Sequence, residues 1–360
     1  MAQPAVLLPY LTTDLPGVGG QLRQTDDDFR VEEILAYEPD GSGDHVFVQI
    51  EKVGRTTQQA ASDMARALSV RLADVGWAGL KDKRAVTRQT LSFPPPCTPQ
   101  AVAALDVPGI AVLSATRHRH KLRTGHLRGN RFVLKLRQAD VNESDAALRA
   151  RAILDRLSRP PGSPNWFGAQ RFGRDGKNAE IGRALVQGGE LPTGMKAPRG
   201  RARRLYISAL QSLLYNEYLR RRIEDGLFDR VIVGDVLQKV SSGGLFVSDQ
   251  VERDQTRLDG GEVVPTGPMF GHKVKLPPDG SFALERELSI LDRHGLAVDA
   301  FARVGKLGVG TRRPIAVRLH NAVVEPIDER AIELSFAIPA GSYATAVMRE
   351  VVKGSVSFPG

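Results

Sequence analysis

The chain has 360 residues, 41% hydrophobic and 25% charged, an ordinary composition for a globular protein that is long enough for two domains. No stretch has the apolar length that spans a bilayer, Met1-Ala2-Gln3-Pro4 lacks a basic head before an apolar core, and Cys97 has no second cysteine for a disulfide or a thiolate metal site. A reducing cytoplasm is therefore the expected compartment, and a formal net charge of +9 points to a polyanionic partner.

Residues 29–37 and 45–52 read as short strands, with Val46, Val48 and Ile50 alternating along the second. Thr56-Thr57 then open a helix whose apolar face is Ala60, Ala61, Met64, Ala65 and Leu68. Residues 77–83 read as a strand ending in a loop. The segment 79–89, Gly-Leu-Lys-Asp-Lys-Arg-Ala-Val-Thr-Arg-Gln, sets one carboxylate, Asp82, among Lys81, Lys83 and Arg84. Nearby cations favour the ionised form, and an ionised carboxylate in a basic cleft can act as a nucleophile toward an anionic substrate. Taken alone, a solvated charge cluster in a loop reads the same way.

Charge is unevenly spread. Residues 117–137 hold eight Lys or Arg side chains, with His118, His120 and His126 among them and no acid. The run leads into the alternating strand Phe132-Val133-Leu134-Lys135-Leu136, so it sits on a rigid element and suits phosphate tracking. Arg199, Arg201, Arg203 and Arg204 form a second basic cluster, whereas residues 26–28 and 32–33 are acidic. Asn142 with Asp145 caps a helix whose apolar positions include Leu148, Ile153, Leu154 and Leu157, and Pro160-Pro161-Gly162-Ser163-Pro164 stops it. Beyond that boundary, 178–186 and 205–223 read as helices, the latter with Ile207, Leu210, Leu214 and Tyr218 on one stripe. Residues 230–285 are rich in Gly and Pro with strand-like pieces such as Phe246-Val247-Ser248, residues 305–310 read as a flexible glycine linker, and 315–319 and 332–338 return to strand alternation. The pattern predicts an α+β domain built from both ends of the chain around a mostly helical insertion.

The histidines lack zinc-motif spacing, and there is no phosphate-binding P-loop, no strand–GxGxxG–helix fingerprint and no nucleophile elbow. Carboxylate chemistry without a cofactor is the economical enzymatic reading. Four segments in order narrow it: Asp28-Phe29-Arg30-Val31-Glu32-Glu33; the 79–89 segment; Asn165-Trp166-Phe167-Gly168-Ala169-Gln170-Arg171-Phe172-Gly173; and Pro339-Ala340-Gly341-Ser342-Tyr343-Ala344-Thr345 continuing to Arg349-Glu350. Together they resemble the signatures of the TruD-type tRNA pseudouridine synthases.

That resemblance implies an α+β pseudouridine synthase catalytic fold around a mixed sheet, residues 1–160 plus 312–360, interrupted by a TRUD insertion domain at 161–311. It implies conversion of uridine to pseudouridine in tRNA, at position 13 in bacterial members, with tRNA as partner, no metal, no cofactor and a monomeric enzyme. Asp82 carries over as the catalytic aspartate, supported by Lys81 and Lys83. Phe132, in Gly129-Asn130-Arg131-Phe132, matches the aromatic expected to stack on the flipped uracil, and Asn130 a residue positioning the loop or nucleotide. Flipping costs about a few kcal/mol, which stacking at about 1–3 kcal/mol per base offsets. Arg23 stands where the family pattern has a lysine paired with the aspartate, a departure that keeps the charge but replaces a point donor by a planar fork. Glu33 could orient a basic residue or RNA, or hold a structural ion pair. Arg117, Arg119, Lys121, Arg123, Arg128, Gln170 and Arg171 are the expected RNA contacts.

The carboxylate could attack uracil C6, attack C1′, or take a proton from C2′ on a glycal route; the residues leave all three open. Two other readings compete: an RNA-binding or chaperone protein of the same fold without catalysis, and a base-excising glycosidase, which would need a second, water-activating carboxylate. Replacing the cations of the 117–137 run by alanine is expected to weaken tRNA binding and flatten its dependence on salt; a salt slope unchanged from wild type in filter-binding titrations would place the run away from the RNA.

Overall fold

The alternation at 45–52 becomes, in a computed structural model of the protein, the strand His45–Lys52 of a nine-stranded mixed sheet. The structure describes residues 8–173 and 175–354, which fall into two units. The first comprises residues 14–155, 319–344 and 351–354, the second residues 8–13, 156–318 and 345–350.

In the first unit the strands lie in the order His320–Asp328, Ala331–Pro339, Leu127–Arg137, Phe29–Leu35, Val86–Phe93, His45–Lys52, Ile110–His118. Two-residue strands add at Gln21–Leu22, against Leu127–Arg137, and at Gly76–Trp77, against Val86–Phe93. The pairing of Phe29–Leu35 with Val86–Phe93 is parallel, with Arg30 opposite Val86, and the other described pairings of this sheet are antiparallel. Period-two alternation buries Phe132, Leu134 and Leu136 on the central Leu127–Arg137 strand. Helix Thr57–Ala67 is capped by Thr56, whose hydroxyl accepts the Gln59 amide while the Gln59 side chain returns to the Thr56 amide. It buries Ala60, Ala61, Met64 and Ala65 in a cluster with Val46, Val48, Ile50, Leu91 and Phe93. Small residues on the helix let it lie close to the β-branched sheet face.

Three expectations need correction. Leu148 lies on helix Glu143–Ser158 but is 67% exposed; the buried stripe is Ala146, Ala147, Ala150, Ile153, Leu154 and Leu157. Of residues 315–319 only Ala316–Val317 is strand, paired with Ser163–Pro164, while the sheet gains the edge strand His320–Asp328. That strand is mostly solvated, so hydrophobic alternation could not announce it. Residues 305–308 are not linker but the end of the 3-10 segment Val298–Gly308, where a Cβ on Gly308 would lie 2.1 Å from the Phe301 carbonyl oxygen. Close packing, not flexibility, is what that glycine provides.

The second unit centres on helix Gly200–Glu224, which buries Ile207, Leu210, Leu214, Tyr215, Tyr218 and Leu219. A four-stranded antiparallel sheet, ordered Leu245–Val247, Val236–Lys239, Val263–Met269, Thr311–Pro314, draws its first three strands from the Gly/Pro-rich stretch and its fourth from beyond it. Two buried forks fasten it. Arg222 donates to both oxygens of Asp235 at 2.8 and 2.6 Å, and Arg312 to both oxygens of Glu287 at 2.8 and 2.7 Å. At the other end Glu350 accepts the Leu11 and Thr12 amides at 3.0 and 3.1 Å and the Thr12 hydroxyl at 2.8 Å, and the Arg349 guanidinium lies 4.0 Å from the centre of the Tyr10 ring.

Helices Asn178–Gln187 and Gly200–Glu224 meet at Gly182, where a Cβ would come within 2.2 Å of the Tyr206 carbonyl oxygen. Backbone cannot swing aside as a side chain can. Gly182→Ala is expected to destabilise the protein by about 1–3 kcal/mol through overpacking, despite alanine's better helix propensity; a melting temperature equal to wild type would refute this.

Candidate active site

Parallel strands begin at the same end, so pairing Phe29–Leu35 with Val86–Phe93 brings together the loops that enter them. Arg23 lies on one loop and Asp82 on the other. An Arg23 Nη2 donates to Asp82 Oδ2 at 2.8 Å, and the two side chains are 10% and 57% exposed. The aspartate thus presents an accessible carboxylate held from its less exposed side. Arg23 adopts φ of +59° and lays its guanidinium 3.6 Å from the centre of the Phe29 ring. The left-handed backbone costs a non-glycine residue about 1–2 kcal/mol, which the ion pair and the cation–π contact offset. Phe29 in turn meets Phe132 edge to face, with ring centres 6.0 Å apart, and Phe132 lies 5.9 Å from Phe336. Phe132 is 7% exposed, in the middle of an aromatic row that starts from the guanidinium holding Asp82 and ends at Phe336. On the same strand, Asn130 pairs in register with Glu33, and its buried Oδ1 has no hydrogen-bond partner among the described residues.

The cations beside Asp82 in sequence do other work. Lys81 turns inward and donates to Glu33 Oε1 at 2.9 Å, in a pair with side chains 5% and 1% exposed. Glu33 Oε2 accepts the Thr90 amide at 2.9 Å, so the carboxylate is satisfied on both oxygens. Lys83 is exposed. The Lys81 amide donates to Thr57 Oγ1 at 2.8 Å, and that hydroxyl donates to Gln89 Oε1 at 2.9 Å. Removing either member of the buried Lys81–Glu33 pair would strand a charge at about 3–5 kcal/mol.

Lys52 is a participant that sequence reading missed. It ends the alternating strand His45–Lys52, where a lysine looks like any solvated terminus, so no sequence signal marked it. Its side chain is fully buried, and its ammonium donates to the carbonyls of Arg55 at 2.6 Å and Asp82 at 2.9 Å. Burial lowers its pKa from 10.5 to about 8, opposed by the charge of Asp82 and aided by that of Lys81.

The expected RNA contacts occupy both units. Arg117 donates to the Gly43 carbonyl at 3.1 Å, Arg119 pairs with Asp40 at 2.7 Å while 68% exposed, and Lys121 donates to the Ala73 carbonyl at 2.7 Å. Arg123 and Arg128 are exposed on the same unit. Gln170 and Arg171 belong to the other unit, in the short 3-10 turn Ala169–Phe172. Gln170 is exposed, whereas Arg171 donates to Ser212 at 3.3 Å and to Ser208 at 2.5 Å.

The mixed-sheet α+β architecture is the pseudouridine synthase fold. The structure superposes on a crystal structure from Methanosarcina mazei, described as a candidate tRNA pseudouridine synthase D, with a TM-score of 0.78 over 96% of each chain at 24% identity. The family model for tRNA pseudouridine synthase D (TruD) matches residues 6–192 and 189–351. Among curated proteins, the chain is 46% identical to tRNA pseudouridine synthase D of Anaeromyxobacter dehalogenans over 98% of both chains. It is 41% identical to the Thermus thermophilus tRNA pseudouridine synthase D over 96% of this chain and 92% of that one. The chain therefore belongs to the TruD family of tRNA pseudouridine synthases.

The lowered pKa of Lys52 has a consequence for stability. Between about 8 and 10.5 the unfolded chain holds its proton on Lys52 more tightly than the folded chain, so folding gains stability as pH rises through that window. In thermal melts across this window, wild type should gain stability relative to Lys52→Met; parallel curves would show that Lys52 titrates as an exposed lysine.

Proposed function

We propose that this chain isomerises uridine to pseudouridine in tRNA, with Asp82 as the catalytic residue and position 13 as the target. Membership of the TruD family makes the chain a tRNA pseudouridine synthase, and hence an isomerase. The observation that carries the assignment to Asp82 is its accessible carboxylate, fixed by Arg23 at 2.8 Å on a loop pinned from beneath. We assign catalysis to the unit that holds Asp82, and the role of family insertion to the unit built on helix Gly200–Glu224.

The reaction breaks the bond between uracil N1 and C1′, turns the base, and forms the bond between C5 and C1′. The proton on C5 is lost and N1 gains one, so the product is an isomer of the substrate. Asp82 would act at C6, at C1′, or as the base at C2′. In all three routes a carboxylate close to the glycosidic bond is needed, and the target nucleotide must leave its stack. Arg23 holds the carboxylate in place and, unlike a lysine, cannot lose its charge. Asn130 offers its unpartnered Oδ1 to a donor on the incoming nucleotide or the loop, since a buried acceptor left unmet costs about 1–3 kcal/mol. Phe132 would supply the apolar face on which the uracil rests. Arg117, Arg119, Lys121, Arg123 and Arg128 would follow the tRNA phosphates, with Gln170 and Arg171 contributing from the insertion. We place this work in the cytoplasm and expect a monomer.

The test is release of tritium from tRNA labelled at uracil C5, wild type against Asp82→Asn. Wild type should release it and the variant should not, with tRNA affinity kept within a few-fold. Equal release by both would leave the reaction standing and remove Asp82 from it. Absence of release by wild type across a panel of tRNAs, with binding intact, would favour a binding protein of the same fold.

A further inference from the structure

Lysine is almost never fully buried without compensation. Lys52 is 0% exposed, and the partners its ammonium reaches are not carboxylates but two backbone carbonyls. One belongs to Arg55, in the turn that leads from its own strand to helix Thr57–Ala67. The other belongs to Asp82 itself. In the sheet Lys52 pairs with Thr87 on one side and Ile110 on the other, so its backbone is set by two neighbouring strands. Thr87 lies on the strand into which the Asp82 loop runs, and the lysine side chain reaches back along that strand to the loop.

The charges around it are ordered. On the loop, Asp82 is paired with Arg23 and Lys81 with Glu33. In the turn, Arg55 pairs with Asp63 of the helix. Asp82, Lys81 and Arg55 thus each have their own partner, and the lysine is left to hold backbone. Two of its three donors serve that purpose, and a methionine or leucine there would remove both bonds at once.

We propose that Lys52 is a positioning residue for catalysis: its buried ammonium ties the Asp82 carbonyl to the Arg55 turn, so that the peptide bearing the carboxylate cannot swing while Arg23 holds the side chain. This rests on the reading of Asp82 as the catalytic residue. A displacement of the reacting carboxylate by about 1 Å is enough to cost about a hundredfold in rate, and the ion pair to Arg23 holds the side chain of Asp82 but makes no bond to its backbone. Thr57 supports the adjacent Lys81 amide from the same turn, so Lys52 and Thr57 hold consecutive residues of the loop.

The experiment compares wild type, Lys52→Met, Lys52→Gln and Asp82→Asn by thermal melting, by tRNA binding, and by single-turnover pseudouridine formation with enzyme in excess. Lys52→Met should slow the single-turnover rate at least tenfold while tRNA Kd stays within twofold and the melting temperature does not fall. Lys52→Gln, which keeps a donor without the charge, should recover part of that rate. A Lys52→Met rate within twofold of wild type, with Asp82→Asn inactive, overturns the role of Lys52 and leaves that of Asp82 intact. Full activity of Asp82→Asn removes both. Rate and affinity falling together, or loss of cooperative melting in both Lys52 variants, also overturns the proposal, because the lysine would then hold the fold and not the loop.

Discussion

The parallel pairing of Phe29–Leu35 with Val86–Phe93 is the constraint on which the site depends. Antiparallel neighbours can be joined by a tight hairpin, but parallel neighbours need a long crossover. Here the crossover contains the strand His45–Lys52, the turn at Arg55 and helix Thr57–Ala67. The segment that topology requires also supplies Lys52 and Thr57, which hold the loop before the second parallel strand. Scaffold and site are therefore one piece of chain, and the accessible aspartate is presented by a sheet whose register is fixed on both sides.

Two ion pairs of similar geometry do different work because their surroundings differ. Lys81–Glu33 is closed from water, so its attraction is little screened and neither partner is free to move. Arg23–Asp82 has one side sheltered and one open, so the carboxylate keeps access to whatever approaches. The sequence places Lys81 and Asp82 side by side, and the loop sends the first inward and the second outward. Loops on a rigid sheet can do this because successive residues need not share a face.

Much of the fold was legible in the residues. The alternation at 45–52, the Thr56 cap and the proline-rich stop after helix Glu143–Ser158 each act locally, and local rules sufficed. The edge strand His320–Asp328 was not, because an edge with two wet faces has no hydrophobic period to read. Gly308 looked flexible because sequence shows the absence of a side chain but not the Phe301 carbonyl that occupies its place. In the site, the motifs pointed to Asp82 and to Arg23 as its partner, and the two do pair, whereas the support Lys52 lies in no motif. A lysine at a strand end reads as solvated until the neighbours that bury it are known. Arg171, an expected RNA contact, is oriented by Ser208 and Ser212 of the long helix, which no motif could show.

The hold of Glu350 on the Leu11 and Thr12 amides has a bearing on the birth of the chain. The partners are 339 and 338 residues apart, so the unit they complete cannot close until Glu350 has left the ribosome. At about 5–20 residues per second, residues 8–12 wait on the order of tens of seconds for the arginine and glutamate that fasten them. During that interval the long helix and its four-stranded sheet can assemble from contiguous sequence, and only the fastening is deferred. Ribosomal synthesis thus separates the assembly of this unit into an early local phase and a late one that records arrival of helix Ala344–Val352.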